Sequence, residues 1–502
     1  MRHAMLIDLD RCVGCKACVS ACKEQWDTGP GGARDWVHTY ETGTRAGGDL
    51  AVTFYPGLCM QCEAHPCTTD CPTGATFADA NGVVVVDAGV CIGCGNCISR
   101  CPYGARRVDP VKKVVEKCNL CAPYVARGEQ PACVATCLAD CRVFGDLDDP
   151  RSEISRLARE RDARPLAVAG IDVRPRNLYA GARERELILA QPMARPPHRS
   201  WLTAAWSDVT LPLVRGAVPA LGAASIAGGL LVNLRSRADR VRREEGGSGE
   251  GAAPPQAAPA GLEGELPAPR PARELPRHPA GLRVLHWFNA LSWLVLAVTG
   301  AALLSAASFA FAGPRFPAAL AALAGGAAAL LRLHVWWGLA WATAIVPLFL
   351  VFKGSLRHVW EEVRIDRDDL AWLAAKPLAM AGLRRRPLPP QDKYNAGQKL
   401  FAMFVLVATA TIIASGLVMA FHLGPAPLVS LAILVHQAAI ALALAGIAVH
   451  FTMAAVIAEE RPALRSMFTG RIDLRHAQHH SPKWTSRLGE PPPGAPGAKE
   501  ED

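Results

Sequence analysis

CIGCGNCISRCP, residues 91–102, places four cysteines at the spacing C-x2-C-x2-C-x3-C, followed by proline. A loop this short can wrap three thiolates around one iron–sulfur cubane while its last cysteine reaches a second cubane nearby. Three further groups of four accompany it. Cys12, Cys15, Cys18 and Cys22 lie in CVGCKACVSAC, and Cys59, Cys62, Cys67 and Cys71 in CMQCEAHPCTTDC. Cys118, Cys121, Cys133 and Cys137 complete the set. Each run is half of a two-cluster module, so four runs imply four [4Fe–4S] clusters. Structural zinc suits isolated CxxC pairs but not four tandem runs, and the spacing also argues against a secreted disulfide framework.

The chain has 17 cysteines among 502 residues, and none lies beyond Cys141. Cys141 stands four residues after Cys137 and could replace it as a ligand. The x3 spacing of the other runs favours Cys137, which leaves Cys141 as a plain buried thiol.

Half the residues are apolar, yet 20% are charged and only 6% aromatic, a mixture of soluble and membrane protein. The net charge of +9 would suit nucleic acid, but the basic residues cluster in loops beside apolar segments. No nucleic acid partner is expected.

Residues 1–200 read as an α+β, ferredoxin-like domain of two double-cluster modules. Residues 208–236 read as a single membrane anchor, interrupted at Arg215. The Gly-, Pro- and Ala-rich stretch 237–281 reads as a disordered cytoplasmic linker. Residues 282–480 read as an all-α membrane region with spans near 285–304, 331–352, 400–421 and 429–458. The tail, 481–502, reads as disordered.

Basic residues set the orientation. The loop between the second and third of these four spans carries Lys353, Arg357, Arg364, Arg367, Lys376, Arg384, Arg385, Arg386, Lys393 and Lys399, whereas the loop after the first has only Arg315. Both ends of the four-helix unit therefore face the cytoplasm. The anchor ends in Arg235, Arg237, Arg240, Arg242 and Arg243, which places the cysteine domain outside, in the periplasm of a bacterial inner membrane. MRHAMLIDLDRC contains no basic-then-apolar signal segment, so export with a partner is expected.

Four histidines fall inside the spans: His286, His334, His436 and His450. Ionisable groups buried in a bilayer are functional by default. His436 and His450 are fourteen residues apart on one helix, hence on nearly one face and about 21 Å apart along the axis. Two stacked haems need that separation. Topology pairs His286 with His450 at the inner side and His334 with His436 at the outer side, giving two bis-histidine haems b. Such haems have no open iron position and carry electrons. A proton relay or a satisfied polar core would be the plainer reading. His358, His422, His476, His479 and His480 lie at helix ends or in loops and read as surface.

With all sixteen cysteines and FGDLDDPRSEI at 144–154, residues 1 to about 195 resemble the four-cluster iron–sulfur subunits of the molybdopterin oxidoreductase family. Formate dehydrogenase, thiosulfate reductase and dimethyl-sulfoxide reductase complexes contain such subunits. The resemblance implies one cluster on Cys12, Cys15, Cys18 and Cys137, and a neighbour on Cys22, Cys118, Cys121 and Cys133. It implies a third on Cys59, Cys62, Cys67 and Cys101, and a fourth on Cys71, Cys91, Cys94 and Cys97.

From RVLHWFNALSW at 283–293, through KYNAGQKL at 393–400, to HQAAIALALAGIAVH at 436–450, the back half resembles the cytochrome b component of respiratory formate dehydrogenases. That likeness implies a quinone, menaquinone or ubiquinone, beside the inner haem. Asn395 and Gln398 are the candidates for its ring carbonyls. It also implies a molybdenum or tungsten molybdopterin catalytic chain with a twin-arginine export signal. Fusion of the two parts in one chain departs from the family.

No nucleotide loop or nucleophile–base set is present, so the expected role is electron transfer and membrane anchoring for a respiratory oxidoreductase. A standalone redox carrier, or an iron–sulfur-regulated transporter or sensor, are the rival classes. Co-purification of a molybdenum chain, and a b-type haem spectrum, respectively separate them.

Overall fold

The computed structural model describes residues 1–29, 31–166, 172–181, 201–246, 273–304, 315–351, 362–381, 383 and 386–490. Two compact units result. The first joins Met1–Pro212 to Leu296–Trp336 and Ala414–His436; the second comprises Leu213–Val295, Trp337–Ile413 and Gln437–Asp502.

In the first unit, strands β1 (His3–Asp8), β2 (Asp35–Thr42), β3 (Ala51–Leu58), β4 (Arg142–Asp146), β5 (Arg164–Pro165) and β6 (Leu178–Ala180) frame the cysteine loops. A four-stranded sheet has the order β4-β1-β6-β5, with β1 antiparallel to β4 and parallel to β6. The apolar run of β1 is covered on both faces, as a central strand requires. Met5 and Ile7 join Tyr55, Leu58, Met60 and Tyr179. Ala4 and Leu6 point the other way and meet Ile154.

Helix α1 (Ala17–Gln25) follows the first cysteine loop. Ile154 belongs to α2 (Glu153–Glu160), which Ser152 caps through the Ser155 amide at 3.3 Å. A Cβ at Gly145 would stand 2.8 Å from Ile154, so the FGDLDDPRSEI stretch is a strand, a tight turn and a capped helix held together by close packing. The hairpin β2–β3 pairs Asp35 with Leu58 through to Thr42 with Ala51.

Several apolar helices follow: α3 (Leu211–Gly246), α4 (Ala280–Leu303), α5 (Arg315–Leu323), α6 (Ala327–Val351), α7 (Arg367–Met380), α8 (Ala396–Ala420) and α9 (Ala426–Phe451). Among the described residues, four stretches are long and apolar enough to cross a membrane: 208–238, 280–303, 396–420 and 426–456. A fifth follows only if α5 and α6, bent by 80°, count as one span. From Arg315 onward the expected loop is helical, and Gly325 and Gly326, at φ 83° and 108°, turn it into α6.

In the second unit, α3 runs to Gly246, beyond the expected boundary at 236. Its Asn233 donates to the Val456 carbonyl at 2.7 Å and accepts from the Ala458 amide at 2.9 Å. A Cβ at Gly229 would come within 3.1 Å of Thr452. The anchor is therefore fastened to the end of the last span by one side-chain amide and one close approach.

Strand pairing extends into segments expected to be irregular. Glu274–Pro276, inside the expected linker, pairs antiparallel with Arg471–Asp473. Pro482–Arg487, inside the expected tail, is helical and buries Trp484 and Thr485. The centre of the linker, 247–272, the end of the tail, 491–502, and the loop positions His358, Arg357, Arg384 and Arg385 lie outside the described residues.

Candidate electron-transfer sites

All four cysteine runs share one backbone device. The residue before the second cysteine is left-handed each time: Gly14 at φ 68°, Gln61 at 48°, Gly93 at 61° and Leu120 at 51°. A second left-handed residue precedes the short helix after each loop, at Lys16, His65, Gly95 and Cys121. Such turns direct successive amides into the loop's concavity, where anionic sulfur can accept them. Leu120 N already donates to Cys118 Sγ at 3.4 Å. At Gln61 and Leu120 the strain of a non-glycine at positive φ is offset by burial. Gln61 is fully buried, donating to the Cys118 carbonyl at 3.0 Å and accepting from the Val84 amide at 2.8 Å.

The loops bring the cysteines together in four groups. Cys12, Cys15, Cys18 and Cys137 line one pocket, joined there by Cys141. Cys71, Cys91, Cys94 and Cys97 line another. Cys118, Cys121 and Cys133 are close enough to Cys22 for their charges to act on it, and Cys59, Cys67 and Cys101 act likewise on Cys62. Among the described residues no three metal-binding side chains converge on a point suited to a single ion. A cubane asks for wider spacing, because its ligands surround four irons.

Burial pushes the Cys97 and Cys101 thiols up to about 11 and Cys118 up to about 12. Cluster assembly must therefore displace protons from these positions. Cys12 is the exception: hydrogen bonding with Cys141 holds it down at about 6.

Three buried cations stand among the sulfurs. Arg142 donates to Cys18 Sγ at 3.4 Å and faces Asp35 at 3.4 Å. Its Nε and Nη1 are buried without a partner, as are Nε and Nη1 of Arg106. Arg106 lies near Cys59, Cys67, Cys97 and Cys101, and burial and those thiols act on it in opposite senses. Lys117 is buried too, donating to the carbonyls of Val84 and Cys118. Clusters ligated by four thiolates are anionic, and orphaned guanidinium N–H groups aimed among the sulfurs fit them. By local sequence all three look like surface cations.

His334 and His436 are also placed as ligands would be. Thr299 Oγ1 lies 2.8 Å from His334 Nδ1, and Ser415 Oγ 3.0 Å from His436 Nδ1. Each bond orients a ring and makes Nε2 the nitrogen for a metal. The residues that follow, Gly300 and Gly416, would put a Cβ 3.1 and 3.5 Å from His334 and His436 Cε1 respectively. The Thr-Gly and Ser-Gly pairs are the signal that sequence reading passed over. His334 and His436 lie within electrostatic reach of one another, as do His286 and His450. Phe401 stacks on His450 with ring centroids 4.5 Å apart.

Asn395 and Gln398 meet each other. Asn395 Oδ1 accepts from the Gln398 amide at 2.9 Å, and Gln398 Oε1 from the Asn395 amide at 3.1 Å, a reciprocal cap on α8. Their side-chain oxygens are thus engaged in holding the KYNAGQK turn. Lys399 anchors the same turn through a buried pair with Asp369 at 2.8 Å. Next to Asn395, Tyr394 lies 3.4 Å from Nδ1 of the buried His278.

His422 is not a surface residue as expected. It is half-buried, hydrogen-bonds the backbone of Ile92 and stands 3.1 Å from the Cβ position of Gly93. His476 and His480 are half-buried and stacked at 4.2 Å, while His479 is exposed.

Comparison with known proteins settles what the two parts are. Family models described as 4Fe-4S dicluster domains match residues 11–75 and 50–147, and one described as prokaryotic cytochrome b561 matches 277–470. The B component of sulfite dehydrogenase from Allochromatium vinosum is 40% identical over 207 residues, covering 37% of this chain and 85% of that protein. The chain belongs to this family of iron–sulfur electron-transfer subunits. The B component of polysulfide reductase from Wolinella succinogenes is 40% identical, over 34% of this chain and 90% of that protein. The thiosulfate reductase electron transfer subunit of Salmonella typhi is 39% identical over the same shares. This member of the family carries a cytochrome b561 domain behind its iron–sulfur domain, and with its apolar helices it is a membrane protein.

Proposed function

We propose that this iron–sulfur–cytochrome b561 fusion passes electrons between a periplasmic catalytic subunit and membrane quinone, by way of four [4Fe–4S] clusters and two haems b. The catalytic partner is a molybdopterin chain, exported by its own twin-arginine signal, that converts formate or a sulfur oxyanion. Clusters and haems supply the one-electron carriers; the residues of this chain fix their order.

One observation carries the reading. Within the first unit, the loop of Cys91, Cys94 and Cys97 packs directly on the helix ends that bear His334 and His436. Ser430 donates to Asn96 at 2.8 Å, and both are buried. Leu331, one turn before His334, packs against Cys71, Ala75 and Val90. His422 covers Gly93. The group Cys71, Cys91, Cys94 and Cys97 is therefore the last cluster, handing electrons to or from the outer haem. His286 and His450 hold the inner haem. Quinone sits beside it, where the Asn395 and Gln398 amide nitrogens donate to its carbonyls and the Tyr394–His278 pair supplies protons.

Cys94→Ala tests this order. In the purified complex, a menaquinol analogue is expected to reduce both haems in the variant as fast as in the wild type, while the clusters on the far side stay oxidised. Clusters that still fill at the wild-type rate would contradict it. A molybdenum- or tungsten-containing chain is expected in the same preparation, and its absence would favour a standalone carrier.

A further inference from the structure

The first cysteine pocket contains one thiol more than a cubane has irons: Cys12, Cys15, Cys18, Cys137 and Cys141 all line it. Cys141 is only 4% exposed. Its Sγ lies 3.5 Å from Cys137 Sγ, and its amide donates to that same sulfur at 3.3 Å. On its other side it hydrogen-bonds Cys12. The turn between the pair is closed by the Asp140 amide on the Cys137 carbonyl at 3.2 Å, with Asp140 at φ 46°. That turn sets both sulfurs on one side of the backbone.

Four ligands of one cubane bind four different irons and stand well apart. Sulfurs in van der Waals contact are too close to hold two different irons; Cys141 touches both Cys12 and Cys137, and its amide bond to Cys137 Sγ and the tight turn tie it to the Cys137 corner. Arg142, in the same pocket, offers its unpartnered N–H groups to whichever sulfur is anionic. Two residues at the pocket's edge face solvent: Cys15 is the one exposed cysteine of the seventeen, and Leu138 beside Cys137 is 82% exposed. Oxidants reach this cluster first.

We propose that Cys137 and Cys141 are interchangeable fourth ligands of the first cluster, either one holding the same iron when the other is lost. The proposal rests on the reading of Cys12, Cys15 and Cys18 as its other ligands. In the exchange Cys141 gives up its thiol proton as its sulfur bonds to iron, and Cys137 takes up a proton as its iron–sulfur bond breaks. No electron moves and no co-reactant is needed. The paired cysteines keep the corner iron in place where a single ligand would release it and leave a three-iron cluster.

The test compares the full chain as wild type, Cys137→Ala, Cys141→Ala, the double variant and Cys15→Ala, by iron analysis and by EPR of the oxidised protein. Haem b absorbance reports folding, and serine replaces alanine where a variant yields no folded chain. Both single variants are expected to keep wild-type iron and to lack the three-iron signal, which the double variant and Cys15→Ala both show. A three-iron signal in either single variant, equal to that of the double, overturns the exchange alone. Cys15→Ala indistinguishable from wild type would overturn the ligand reading beneath it.

Discussion

Replacing His436 by alanine will remove one haem b from each chain and leave the other, with cluster iron unchanged. His436 lies on α9, where Ser415 fixes its Nδ1 at 3.0 Å, and His334, its partner in the proposed site, is fixed in the same way by Thr299. A bis-histidine haem that loses one axial ligand also leaves a void where the imidazole packed. On the proposed reading His450, fourteen residues and about 21 Å further along the same helix, holds the second haem, which is expected to survive. Electron flow between clusters and quinone is then expected to stop, because the proposed path has lost one carrier. The pyridine haemochrome assay reads the outcome directly. Ser415→Ala should do less: loss of such an orienting partner typically weakens metal retention roughly 10–100-fold. Unchanged haem content in His436→Ala would remove the outer site from the account.

Arg142→Met will destabilise the iron–sulfur domain by roughly 3–5 kcal/mol, the usual cost of stranding one member of a buried ion pair. Asp35 is left behind, 2% exposed on its side chain and 3.4 Å from where the guanidinium stood. Cys18 loses its N–H donor. Two cluster sites share this cation, since Cys18 and Cys133 both act on it. Iron should therefore fall at both, and the clusters that remain should become harder to reduce once a neighbouring positive charge is gone. Arg142→Lys restores the charge without the planar fork and should recover part of the iron. Iron per chain and an EPR-monitored redox titration follow both effects. A methionine variant with wild-type iron and an unshifted titration would show that the arginine is only packing.

These two residues illustrate what the sequence could and could not reveal. The cysteine spacing and the 436–450 interval are local regularities, and they pointed to the candidate ligands before any coordinates. Gly14 and Gly93 marked the left-handed turn in two of the loops. Gln61 and Leu120 hide the same turn, because burial and side-chain bonding substitute there for the freedom of glycine. Arg106 and Arg142 resemble any surface arginine. Their burial depends on partners such as Asp35, more than a hundred positions from Arg142, which no local periodicity can register.

The membrane region shows the same limit. Its hydropathy located the apolar helices, but not the Gly325–Gly326 turn between α5 and α6 or the Asn233 clasp on the end of the last one. Asn395 and Gln398 stood out as polar residues in the turn before an apolar helix, and their first role proved to be a helix cap. His422, read as surface from its place in a short loop, lies against Gly93 because the cysteine loop and the helix ends fold into one unit.

The central claim is that one chain carries both cluster iron and b-type haem. Iron analysis of the purified chain, alongside a dithionite-reduced-minus-oxidised spectrum, tests it most directly. The account predicts about sixteen cluster irons with two haems b per chain. Cluster iron without the bands of reduced haem b would contradict it.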